Sequence, residues 1–411
     1  MIIAPRGLQY RFLVTAIPLA AVALIAWIYW PVHTAGLVWD DKTQLHDARL
    51  QLSNVWQFIF HLNFDWSNYF RPLGVVLFAT ETRVFDVAPA PMHLLSLGLH
   101  LVNSVLVGVL ARSMLTPSDS HVSAKMLPCL AMMLFGVHPL LVEPVVWISG
   151  QVDLLVTLFM LLGLLANLVL RRTVVRAVAV ALCFLLAAST KEAAVSFPLL
   201  LLVVDWVEPV DKAFDPGATR MRRVLVARLQ KQWLVYLFVL VAGVSYLALR
   251  YWGLGFLIPD HGNATSFSVS RLQLVSYTNL AYWRLLVWPM AGLGPVHLVP
   301  MEQFTEITMV SLVTDAAAIA IMAVGLYLFL QRKAMGGLVA GVTVALLPVL
   351  HLIPIDFAES IYHDRYALPA VAIMCSFLPL VISGLALQRE HLGRLKRSAP
   401  SREQSGCSWR S

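Results

Sequence analysis

Charge is what this 411-residue chain has least of. Asp, Glu, Lys and Arg make up 13% of it and hydrophobic residues 59%, whereas roughly 25% charged is usual in a soluble globular domain. With a mean hydropathy of +0.75, a water-soluble fold is excluded and a polytopic membrane protein is expected. Cysteine is scarce too. Cys129, Cys183 and Cys375 fall inside apolar runs and Cys407 near the C-terminal end. No C-x-x-C or other metal-type spacing exists, so neither a disulfide framework nor a zinc site is supported. No repeat of fixed period and no soluble second domain can be found. The first apolar run is not followed by a small-residue cleavage site and a soluble domain, so it is read as a retained span. The net charge of +7 is scattered between apolar runs. A nucleic-acid partner, which calls for a contiguous basic face, is not expected.

What is present is a series of apolar segments. They lie at 12–30, 91–115, 126–138, 154–170, 177–189, 193–207, 233–252, 309–331, 336–350 and 366–387. About 20 apolar residues cross a bilayer core; 177–189 and 193–207 are short for that. Trp27, Tyr29 and Trp30 make an aromatic belt at the end of the first. Of the 30 Lys and Arg, 21 fall in alternate loops and the two ends, which places both termini in the cytoplasm. The expected fold is therefore an all-α bundle of about ten transmembrane helices over 1–388. A basic cytoplasmic tail without fixed structure should follow at 389–411. The loop 31–90 lies outside. Within it, Asn54–Leu62 reads as an amphipathic surface helix, and 73–88, which carries Glu81, Arg83 and Asp86, as a second interfacial helix. Residues 138–153 form an external turn. The run 272–290 carries Asn279 and Arg284 and is expected to be interfacial or re-entrant, because a crossing there would put Arg332 and Lys333 outside.

Within this topology the ionisable residues Asp40, Asp41, Arg71, Glu143, Lys191, Glu192 and Arg365 come out on the external side, with His93 at the external end of its span. His93, Ser96, His100, Asn103 and Ser104 share an arc of roughly 100° on one helix, so that face should look into protein. Two adjacent carboxylates just beyond a span are costly unless they work or sit in water. Acid and base in one cavity suit glycosyl transfer from a lipid phosphate. A carboxylate takes the proton of an acceptor hydroxyl, Arg and Lys neutralise the departing phosphate, and a carboxylate also favours the cationic sugar of the transition state.

The same residues form an ordered set: Trp39-Asp40-Asp41, then Tyr69-Phe70-Arg71-Pro72-Leu73, then His93, His100 and Asn103. His138-Pro139, Glu143, Trp147, Asp153, Lys191-Glu192 and His363-Asp364-Arg365-Tyr366 follow. Over about residues 35–370 this order resembles the membrane part of the transmembrane and tetratricopeptide-repeat O-mannosyltransferases, within the wider GT-C glycosyltransferases. The resemblance implies a GT-C fold, a polyprenyl-phosphate-linked sugar donor and inverting transfer outside the cytoplasm. It implies Asp40 or Asp41 as the base and Arg365 at the donor phosphate. Arg71, His93, His100, Glu143, Asp153, Lys191, Glu192 and Tyr366 complete the expected substrate site. The sugar is mannose or another hexose, and the acceptor a protein, lipid or polysaccharide. No cofactor is required by these motifs, no dense carboxylate–His cage is visible, and a divalent metal stays open. A bacterial inner membrane with a periplasmic active site is the expected location. Two departures stand out. Tetratricopeptide repeats are absent, and Gln151 stands where a basic residue is expected before Asp153.

Each residue also has a structural reading. Asp40 and Asp41 could cap a helix, Arg71 could anchor at headgroups, and His93 and His100 could be interhelix hydrogen-bond ties. Glu143 could be an exposed loop acid. Lys191 and Glu192 could be one ion pair, and Arg365 could pair with Asp364 or Glu359. The rival functions are a flippase or transporter of lipid-linked sugar and an inactive GT-C-fold scaffold. Asn263-Ala264-Thr265 fits a glycosylation acceptor in a secretory host. The topology predicts that, with the native cysteines replaced by serine, Asn263→Cys reacts with a membrane-impermeant thiol reagent in intact cells and Arg222→Cys does not. Labelling of both, or of the second alone, would refute it.

Overall fold

The computed structural model describes residues 6–46, 69–115, 122–207, 218–257, 269–352 and 360–398. The surface helix expected at 54–62 and the Asn263 acceptor lie outside them. The first helix, α1 (Arg6–Tyr29), gives way to a 3-10 turn over Trp30–Thr34 that holds Pro31 in its first turn. A short α2 (Asp40–Leu45) follows. The next two helices, α3 (Pro72–Phe85) and α4 (Pro89–Met114), both open on proline, whose fixed φ and missing N–H suit the first helical turn. Helix α5 (Val122–Gly136) bends by 53° into the Pro139–Val146 segment, which ends in the five-residue α6 (Val142–Val146). A single 3-10 turn, Ile148–Gly150, then leads into α7 (Gln151–Val169). The remaining helices are α8 (Thr173–Thr190), α9 (Phe197–Val207), α10 (Ala218–Leu254), α11 (Val269–Val287), α12 (Met309–Leu330), α13 (Ala334–Leu346) and α14 (Leu368–Ser398). No strand occurs among the described residues.

All ten anticipated segments are helical. Seven helices are long and apolar enough to cross a membrane, and the bent pair at Met126–Val146 makes an eighth if it counts as one span. The chain is an all-α polytopic membrane protein. The other two anticipated segments fall short of the usual length: α9 has 11 residues, and Ala334–Val349 is a shorter apolar stretch. The last helix differs from the expectation at 388, since α14 continues to Ser398. Helix α11 is not among the seven, yet it is built into the bundle: Asn279 and Tyr282 are buried, and Tyr282 donates to the His363 carbonyl at 3.2 Å.

The inner layer is formed by α4, α7, α8, α9 and α14, whose apolar side chains share one core with α13. Much of α12 faces outward, with Val310, Val313 and Leu326 exposed as lipid-facing residues would be. The polar arc of α4 does look into protein, for all five of its residues are fully buried. Asn103 donates to the Leu154 carbonyl at 2.9 Å and His100 bonds the Gly136 carbonyl at 2.9 Å, tying α4 to α7 and α5. Where α12 turns into α13, a Cβ on Gly336 would stand 2.1 Å from the Phe329 nitrogen, so only glycine lets the two helices close. At the far end of α7, buried Asp205 accepts from Asn167 at 2.7 Å and from Tyr236 at 2.6 Å, joining α7, α9 and α10. That tie lies about 25 Å along α7 from Gln151. The polar residues considered next belong to the opposite end.

Candidate active site

The site begins at a strained residue. Trp39 has φ 46° and ψ −122°, a region that a bulky side chain rarely adopts and that persists only where its surroundings impose it. Asp41 supplies the constraint. It is fully buried, and its Oδ1 accepts from the Ser149 N–H at 2.9 Å and the Ser149 hydroxyl at 2.6 Å. Its Oδ2 accepts from the Val38 N–H at 3.2 Å. Trp39 meets Trp147 edge-on, with ring centroids 5.8 Å apart. Leu45 packs beneath with Phe78, Met92 and Ile148. The turn that receives Asp41 is itself tight: a Cβ on Gly150 would lie 2.9 Å from the Pro144 Cα. Asp41 is therefore spent on anchoring α2. Asp40, in the first turn of that helix, is exposed.

Three ion pairs converge beside this anchor. Lys191 Nζ meets Asp153 Oδ1 at 2.5 Å, both side chains being buried. Arg71 donates through Nε (2.9 Å) and Nη2 (2.7 Å) to one oxygen of Glu192, whose other oxygen lies 3.6 Å from Arg250. Arg365 pairs with Glu143 through its guanidinium, and its backbone N–H donates to the same carboxylate at 2.8 Å. Two of the three cations share one ring. Lys191 and Arg365 lie over Tyr366 at 4.5 and 4.7 Å, Arg365 also covers Trp147 at 4.5 Å, and Arg71 lies over Tyr69 at 4.2 Å. Trp39, Trp147, Arg365, Tyr366 and Lys191 thus form a continuous chain of contacts from the acids to the cations. Burial pushes Lys191 down to about 8, with Asp153 opposing and the neighbouring Arg71 and Arg365 adding to the fall. Against its burial, Arg71 is held above its ordinary range by the Glu192 charge. Glu192 in turn is held below the usual carboxylate range by Arg71, although its own burial acts the other way.

A cavity of about 550 Å³ opens between Trp39, Trp147 and Glu143 on one side and the Leu293–Pro295 segment and Asp364 on the other. The Leu293–Pro295 wall is fixed to the Arg365 segment. Asp364 accepts from the Gly294 N–H at 2.8 Å and meets His297 at 2.9 Å, while His363 bonds the Pro295 carbonyl at 2.5 Å. The His297 ring stacks on Tyr362 with centroids 4.0 Å apart.

The candidates therefore separate. Arg71, Glu143, Asp153, Lys191, Glu192, Arg365 and Tyr366 come together, Asp41 adjoins them through Ser149 and the Trp39–Trp147 contact, and Asp40 stands exposed next to Asp41 on the chain. His93 is buried next to them, within electrostatic reach of Asp41. His100 is not part of the group; its ring sits between Tyr29 (4.9 Å) and Phe135 (5.6 Å) and serves the α4–α5 tie. Gln151 does not face the cations either. It is buried, and its amide donates to Glu81 and to the Met92 carbonyl, each at 3.0 Å. Reading the residues in order missed Ser149, Glu81, His297 and the anchoring role of Asp364. Only the polarity of α3 hinted at Glu81, and nothing near His297 marks it. Among the described residues, no three His, Cys, Asp or Glu side chains group as a metal site requires.

A buried ion pair that loses one member leaves an uncompensated charge. Lys191→Met is expected to destabilise the protein by about 3–5 kcal/mol, and adding Asp153→Leu to recover most of that loss. Thermal unfolding in detergent of the two variants checks this. Equal instability of the single and double variants would refute the pairing.

Over 155 residues the chain is 28% identical to the protein O-mannosyl-transferase TMTC3 of Mus musculus and 27% identical to that of Homo sapiens. The matched region is 35% of this chain and 16% of each relative, so the chain spans a minor part of the relatives' length. No family model matches, and no solved structure matches at a significant level. The similarity supports a distant relation to the protein O-mannosyl-transferases.

Proposed function

We propose that this chain is a membrane glycosyltransferase that moves a sugar, mannose or another hexose, from a polyprenyl-phosphate carrier to an acceptor hydroxyl. The observation that carries it is the meeting of Lys191 and Arg365 over the Tyr366 ring, with Arg71 paired to the Glu192 that follows Lys191, at the end of the bundle where Ser149 and Asp41 fix the Trp39-Asp40-Asp41 turn. The distant relation to the protein O-mannosyl-transferases supports the same chemistry. Transfer takes place on the external face, periplasmic in a bacterial host, in keeping with the basic loops on the other side.

Asp40 is the general base and Asp41 its anchor. Asp40 removes the proton of the acceptor hydroxyl as that oxygen bonds to the anomeric carbon. The bond from that carbon to the phosphate oxygen breaks on the opposite side, which inverts the centre, and polyprenyl phosphate leaves. Arg71, Lys191 and Arg365 neutralise the growing phosphate charge in a poorly hydrated setting, where such contacts are worth most. The indole N–H of Trp147, buried at the cavity wall without an acceptor among the described residues, is a further hydrogen-bond donor for the substrate. The carboxylates of Glu143, Asp153 and Glu192 hold the cations in place.

Purified full-length protein supplied with labelled polyprenyl-phosphate mannose and candidate acceptors tests this. Asp40→Asn is expected to lower kcat by about 10²- to 10⁴-fold with unfolding temperature unchanged, whereas Asp41→Asn lowers both. Wild type that binds the sugar donor without consuming it would overturn the assignment in favour of a flippase or a scaffold. Since Lys191 is pushed down to about 8, it loses its charge as pH rises through that value. The kcat/KM for the sugar donor is therefore expected to fall above pH about 8 in wild type, and not in Lys191→Arg. A fall shared by both would remove Lys191 from phosphate binding.

A further inference from the structure

Every acid in the ion-pair group has a cation, but two buried carboxylates behind it have none among the described residues. One is Asp41. The other is Glu81 on α3, 2% exposed. Glu81 Oε1 accepts from the Gln151 amide at 3.0 Å, while Oε2 is buried with no partner. The same Gln151 amide nitrogen lies 3.0 Å from the Met92 carbonyl and 3.1 Å from the Ser96 hydroxyl. Gln151 thus ties the start of α7 to both α3 and α4. It is two residues from Ser149, whose N–H and hydroxyl hold Asp41.

We propose that Glu81 is a positioning residue for the transfer reaction. Through Gln151 it fixes the Ser149–Gln151 turn on which Asp41 rests, and so holds the α2 segment that carries Asp40. This rests on the transferase assignment above. Three observations converge on it: the oversubscribed Gln151 amide, the half-partnered buried carboxylate, and the electrostatic contact between Glu81 and Asp41. The groups that face Glu81 are few. Asp41 acts on it from α2, and Gln151, which also meets Ser96 of α4, bonds it from α7. No cation is paired with it among the described residues. Burial, opposed by the Gln151 bond and helped by the Asp41 charge, pushes the Glu81 carboxyl up to about 7. Below that pH Glu81 is neutral. Above it, the charged carboxylate accepts the Gln151 amide more strongly and holds the turn beneath Asp41 more firmly.

The test compares wild type with Glu81→Gln, which keeps the shape and the acceptor for Gln151, in the full-length protein. In wild type, kcat is expected to rise by about threefold to tenfold as pH passes through about 7. In Glu81→Gln this rise should be absent, with KM little changed. Retention of the inflection in the variant, or an equal loss of kcat and KM with a lower unfolding temperature, would reduce Glu81 to a packing residue and overturn the proposal. A second readout needs no turnover. A carboxyl raised in the folded state stabilises most below its unfolded value and loses that contribution as pH climbs toward the folded value. The unfolding temperature of wild type should therefore drop between pH about 4.5 and about 7 relative to Glu81→Gln. Parallel pH curves would overturn the electrostatic role of Glu81. If wild type consumes no sugar donor while the two curves diverge, the transferase assignment fails and the electrostatic role of Glu81 alone stands.

Discussion

A charge that leaves water must take along a counter-charge or hydrogen-bond partners, and this constraint shapes one end of the bundle. Desolvating a carboxylate or an ammonium costs several kcal/mol even after relaxation. Lys191 and Asp153 avoid that only by meeting at 2.5 Å. The pairing fixes the end of α8 against the start of α7. Arg71–Glu192 adds the segment before α3, and Arg365–Glu143 adds the start of α14 and the bend at α6. Four stretches of chain, far apart in sequence, are held at one place by three electrostatic contacts. Apolar packing below supplies the bulk of the stability, but it would tolerate other rotations of these helices. The ion pairs select one.

The two adjacent acids of the Trp39-Asp40-Asp41 sequence have separate tasks. Asp41 satisfies the Val38 and Ser149 donors and disappears from the surface. Its neighbour is left outside because Trp39 adopts a backbone conformation that forces the chain around at that point. Strain of this kind costs on the order of 1–3 kcal/mol. Here it is opposed by the two Ser149 bonds and the contact with Trp147. The local chain is therefore overdetermined, which is what a carboxylate needs if it is to stand in one position.

The helices were legible because lipid demands an apolar surface and backbone groups satisfied within the segment. Hydropathy alone locates α4, α7 and α14. The polar arc of α4 was legible as a buried face for the same reason. What hydropathy does not carry is direction. His100 and His93 share a face, but about two helical turns separate a residue wedged between Tyr29 and Phe135 from a buried one within electrostatic reach of Asp41. Gln151, taken as a missing cation beside Asp153, points instead to Glu81 and α4, since neighbours two apart on a helix face different sides. Ser149 and His297 lie in turns with no periodicity to read, and their partners are 108 and 67 residues away.

The carboxylates that hold the cations have a kinetic corollary. In the proposed reaction, an arriving phosphate meets Arg71, Lys191 and Arg365 each already paired, and it must displace, or share with, an acid in contact. Since Asp153 holds Lys191, Glu192 holds Arg71 and Glu143 grips both the side chain and the backbone of residue 365, those acids are present at high effective concentration. They are tethered competitors. Anion affinity is thereby capped, and in the proposed reaction the departing phosphate would be helped away as each acid reclaims its cation.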